Sequence, residues 1–154
     1  MTSLVIIHSI VRWLVVISLL TSLVVAWSGY GKRSAFTQRV NKLRHWTATL
    51  AHCQLVIGIT LAFRSPYFTH FWHNLSQPNT HFDFSFYGLI HPGLMTLAIA
   101  TLTIGSAKTK RSKHDRNKFR TMLIWFTVSA VIIIIAIPWP FSPLSARPLI
   151  RIYH

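Results

Sequence analysis

Acidic residues are almost missing from this chain. Of 154 residues only Asp83 and Asp115 carry a carboxylate side chain, and glutamate does not occur. Paired carboxylates for acid–base chemistry are thereby excluded, as are the intramembrane acids that serve proton pumps and ion-coupled transporters as relays. Cysteine is scarce too. Cys53 stands alone, so neither a disulfide nor a thiolate metal cluster can form within the chain. No Gly-rich phosphate loop and no nucleophile-and-base motif appears. Charge as a whole is low, at 12% against about 25% in an ordinary soluble domain.

What the chain does have is long uncharged runs separated by short basic ones. A helix needs about 20 mostly apolar residues to cross roughly 30 Å of hydrocarbon. Four runs meet that need, at about residues 4–26, 46–63, 86–107 and 121–137. They predict an all-α membrane protein, a single four-helix up-down bundle over residues 1–154. A soluble domain of this size cannot hide four helices that are apolar all round. The first run is too long for a cleavable signal peptide, and "MTS" lacks a basic start. Pro138-Trp139-Pro140 stops the last helix and puts an indole at the interface. The stretch 140–154, with two prolines and two arginines after Pro140, reads as an extended tail.

Orientation follows from the basic residues. Lys32, Arg33, Arg39, Lys42 and Arg44 fall in the first loop, and Lys108, Lys110, Arg111, Lys113, Arg116, Lys118 and Arg120 in the third. Basic loops stay on the cytoplasmic side. Both termini and the second loop are therefore expected on the outer, periplasmic side of a bacterial inner membrane. The net charge of +14 is accounted for by these juxtamembrane clusters, which attract anionic lipid head groups, and no nucleic-acid partner is expected.

Within the spans few groups carry chemistry: His8, Arg12, His52, His91 and, at an edge, Arg64. With a rise of about 1.5 Å per residue, His8 lies about 12 Å and His91 about 9 Å to the outer side of the midplane, while His52 lies roughly 4 Å to the inner side. His8 and His91 can face each other at nearly one level. Two imidazoles on facing helices of a bundle suit the axial positions of a b-type haem. Gly88 and Gly93 flank His91, where small residues let a macrocycle approach. Arg12 lies one turn below His8 on the same face; a cation at that depth needs an anion or a route to water. A haem propionate would supply the anion, and Arg64 is placed for a second one. The plainer reading makes the histidines glue between helices and the arginines contacts for lipid phosphates.

Two weaker signals remain. His70, His73, His81 and Asp83 in the second loop have loose zinc or copper spacing. The aromatic residues around them read better as an interfacial belt or a cover over the outer end of the bundle. Cys53 is expected to be a small, inert core residue.

The stretches "HSIVRW", "AHCQLVIGITL", "HPGLM" and "IPWPF" together resemble small bacterial four-helix integral-membrane proteins labelled cytochrome b-like, over roughly residues 5 to 141. The resemblance implies an inner-membrane protein with a histidine in each of the first three helices, here His8, His52 and His91, without saying which pair would hold haem b. His52 thus stays open as an alternative ligand. Two functions follow. One is a haem protein carrying electrons within or beside a larger membrane complex, rather than an enzyme on its own. The other is an accessory subunit of a respiratory, photosynthetic or transport complex, free of cofactor or binding a chlorophyll through one histidine.

Overall fold

A computed structural model describes residues 2–75 and 82–139; the predicted tail at 140–154 and His81 lie outside the described residues. All regular structure among them is helical. The elements are α1 (Thr2–Gly31), α2 (Gln38–Phe63), α3 (Pro66–His73), α4 (Phe82–Arg111) and α5 (Asp115–Ala136). Four of these, all but the short α3, are long and apolar enough to cross a membrane.

The four long helices form a closed ring of neighbours. α1 packs against α2 and α5, and α4 packs against the same two. With short links between α1 and α2 and between α4 and α5, successive helices run in opposite directions, as an up-down bundle requires. One end of the bundle collects the start of α1, the end of α2, α3, the start of α4 and the end of α5. It is called the α3 end below.

Small and hydroxyl-bearing residues let the helices approach closely, the usual device where lipid offers no hydrophobic contrast. Ala26, Ala51, Ala98 and Ala136 are wholly buried. Ser22 and Thr47 share a hydrogen bond of 2.9 Å between α1 and α2, and the Ser129 hydroxyl donates to the Ala98 carbonyl at 2.8 Å between α5 and α4. Large apolar side chains such as Ile10, Val24, Trp27, Val56 and Ile134 point outward. In water such a surface would drive aggregation; against lipid it is the solvent-facing side.

The helices run past the apolar runs that announce them. α2 begins eight residues before Trp46, with the Thr37 hydroxyl accepting from the Val40 N–H as an N-cap. This corrects the placement of Arg44, which belongs to α2 and is buried at 5% exposure. Its guanidinium donates to Asn41 Oδ1, to the Ser106 carbonyl at 3.0 Å and to the Ser106 hydroxyl, tying α2 to α4 without an acid. Cys53 also departs from expectation: it is exposed on the outside of the bundle and takes no part in the core.

α4 contains one π-helical turn, Phe86–Ile90, in which the His91 N–H reaches back to the Phe86 carbonyl. The cause is the next residue. Pro92 has no N–H for the Gly88 carbonyl, and its ring would collide there in a regular helix. Widening by one residue removes the collision, and it does so at the turn carrying His91.

Candidate functional site

Proline also shapes the other side of His91. At the end of α5 the carbonyls of Ile134 and Ala136 would pair with the N–H groups of residues 138 and 140, and both are prolines. The Trp139 indole donates to the Ile134 carbonyl at 2.8 Å. His91 Nδ1 donates to the Ala136 carbonyl at 2.7 Å. Two helix-end acceptors left without helical partners are thus met by side chains. The sequence "IPWPF" is the reason a histidine of α4 is fixed to α5.

A carbonyl only accepts, so the proton of neutral His91 sits on Nδ1 and the lone pair on Nε2. His91 borders a cavity of about 320 Å³ at the α3 end, within the size range of small-molecule sites. α1 contributes His8 and Arg12 to its wall, α2 contributes Gln54 and Gly58, α3 contributes Tyr67, and α4 contributes Tyr87 and His91; Ile133, Ile137 and Pro138 close it from the α5 side. The walls are mostly apolar, and Arg12 is the charged residue among them.

His8 is held from α2. The Gln54 amide nitrogen donates to the His8 carbonyl at 3.0 Å and lies 3.2 Å from His8 Nε2. Because the carbonyl accepts only, the amide group facing it is the NH₂, and that same NH₂ makes Nε2 an acceptor. The His8 proton is then on Nδ1, which is buried and, like Gln54 Oε1, has no hydrogen-bond partner among the described residues. The imidazole edge rests against Gly58, where an added Cβ would stand 3.2 Å from Cε1 and 3.7 Å from Nδ1. His8 and His91 therefore carry the same Nδ1–H tautomer beside one cavity.

The remaining candidates are placed as follows. Arg12 borders the cavity one turn below His8, with its guanidinium 5.7 Å from the Trp13 ring centre. His52 is outside the cavity, exposed on the bundle surface. The Thr103 hydroxyl donates to the Ile99 carbonyl at 2.6 Å and so accepts from His52 Nε2 at 3.0 Å, a link between α2 and α4. Arg64 is exposed at the end of α2 and is not part of the cavity wall, although Ser65 and Pro66 beside it are.

The expected roles of Gly88 and Gly93 are corrected. A Cβ on Gly88 would meet the Phe71 side chain of α3 at 2.5 Å, and one on Gly93 would meet nothing within 4 Å. Gly88 seats the α3 cover and Gly93 faces outward; the glycine that makes room at the cavity is Gly58. Among the described residues no three His, Cys, Asp or Glu side chains cluster as for a metal ion. His70 instead lies 4.0 Å from the Phe84 ring, centre to centre, within the aromatic cover formed by α3 and the start of α4. Gln54, Gly58 and Tyr67 were not among the residues singled out from sequence, and Tyr87 was read only as part of the aromatic belt or cover. A polar Gln54 one turn from the single glycine of the second span was the available signal.

Comparison of the chain with known protein families, with curated proteins and with solved structures finds no match.

Proposed function

We propose that this chain is a membrane b-type haem protein that carries electrons within or beside a larger bacterial membrane complex. One observation carries the reading: His91 is fixed through Nδ1 to the Ala136 carbonyl, which leaves the lone pair on Nε2, and it borders a cavity that His8 also borders. A carbonyl on the far nitrogen is the usual orienting partner of a metal-bound histidine. His8 on α1, expected from sequence as the second ligand, borders the same cavity, but its Nε2 is engaged by Gln54, which leaves His91 as the ligand. Arg12 gives the cavity the positive charge that a propionate calls for, while exposed Arg64 is left to lipid phosphates. The resemblance of "HSIVRW" and "HPGLM" to cytochrome b-like proteins points the same way. Haem would supply a reversible one-electron centre; the chain orients it and keeps water from it.

In this reading the α3 end faces the periplasm and the basic ends of α1, α2, α4 and α5 face anionic lipid at the cytoplasmic surface of the inner membrane. A chlorophyll is the second reading, because its magnesium needs one axial ligand and His91 alone presents a lone pair. The test is to express the chain with ample haem, purify it in detergent and measure haem per folded chain. About one haem is expected in the native chain and none in His91→Ala, with helicity retained in both. A folded native chain without tetrapyrrole would refute the haem reading and leave the bundle as a cofactor-free accessory subunit. A chlorin spectrum after expression in a pigmented host would select the second reading.

A further inference from the structure

We infer that Gln54 holds His8 off the iron, so that the haem has one protein ligand, His91, and an open coordination position. The inference rests on the haem reading above and adds an activity to it, the binding of a diatomic gas.

The argument is one of lone pairs. Ligation by two imidazoles needs two nitrogens with lone pairs directed at the metal. His91 has one, because its proton is committed to the Ala136 carbonyl. His8 does not. Its only lone pair, on Nε2, is taken by the Gln54 amide, whose orientation is fixed by the His8 carbonyl itself. What His8 has left is an N–H on Nδ1, buried and without an acceptor among the described residues. The Cε1–Nδ1 edge of the ring rests against Gly58, where even an added Cβ would stand 3.2 Å from Cε1, so that side of His8 offers the iron nothing either. Carbon monoxide, nitric oxide and dioxygen are ligands that take a coordination position left open in this way. Gln54 is thereby a positioning residue, acting on the iron only through His8.

The experiment uses the purified, haem-loaded chain in detergent, with electronic and electron-paramagnetic spectra taken before and after reduction and addition of carbon monoxide. The native chain is expected to be high-spin when oxidised and to bind carbon monoxide when reduced. Gln54→Leu releases His8 and is expected to shift the spectrum to low-spin, with loss of carbon monoxide binding. His8→Phe keeps the haem and the high-spin state, and it guards against a Gln54→Leu protein that fails to fold. A low-spin native chain with two imidazole ligands overturns the inference and leaves the haem reading standing. So does a Gln54→Leu chain that stays high-spin, or loss of haem from folded His8→Phe. A native chain that is folded but takes up no haem overturns both.

Discussion

Gly105 and Gly93 lie on the same helix, and the same substitution in each is expected to change stability in opposite directions. A Cβ on Gly105 would stand 2.2 Å from the Trp125 Cβ and 2.9 Å from its Cγ. Carbon pairs settle at about 3.5–4.0 Å, so α4 and α5 must part by more than an ångström. No rotamer of Trp125 relieves a clash with its own Cβ. Overpacking of this kind costs about 1–3 kcal/mol, and the better helix propensity of alanine returns at most about 1 kcal/mol. Gly105→Ala is therefore expected to lose roughly 1–2 kcal/mol net. Gly93 has nothing within 4 Å, so Gly93→Ala keeps the propensity gain of about 0.5–1 kcal/mol and pays nothing in packing. The assay is reversible unfolding in mixed detergent followed by circular dichroism. Equal shifts for the two variants, of either sign, would refute the close α4–α5 contact on which the bundle depends.

Arg44→Leu removes every link that Arg44 makes from α2 to Ser106, and Arg44→Lys keeps the charge without the fork that reaches both Asn41 and Ser106. The leucine variant is expected to lose about 1–3 kcal/mol in the same unfolding assay, with lysine in between; a leucine variant as stable as the native chain would show that the buried cation contributes nothing net. Arg12→Leu is expected to weaken haem retention during purification while leaving helicity intact. Unchanged retention would remove the propionate role. A single cysteine engineered between Lys108 and Arg120 of a Cys53→Ser chain is expected to react with an impermeant maleimide only after cells are permeabilised, and labelling of intact cells would invert the topology.

The bundle was legible because four apolar runs of membrane length leave little choice of fold, and because the basic residues gather between them. Helix ends were not. Apolarity stops where lipid stops, whereas hydrogen bonding continues, so Gln38–Arg44 read as loop and proved to be two turns of α2. Counting depth along the spans brought His8 and His91 to one level and set His52 apart, and the cavity holds the first two and excludes the third. Counting along a helix says nothing about rotation around it. α2 is apolar on every side, so which of its residues face inward was hidden, and Gln54 and Gly58 went unnoticed while Cys53 was assigned to the core. The tautomer of His91 depends on a carbonyl 45 residues away. Even that left a trace, since two prolines after α5 announce acceptors without partners.

The central claim is that His91 binds the cofactor through Nε2. Its most direct test replaces His91 with glycine, which empties the ligand position, and then offers free imidazole to the purified chain together with haem. The account predicts that His91→Gly binds no haem alone and regains a ferrous–ferric difference spectrum when imidazole is added, with native helicity throughout. Haem binding by His91→Gly without imidazole, at native stoichiometry, would contradict it.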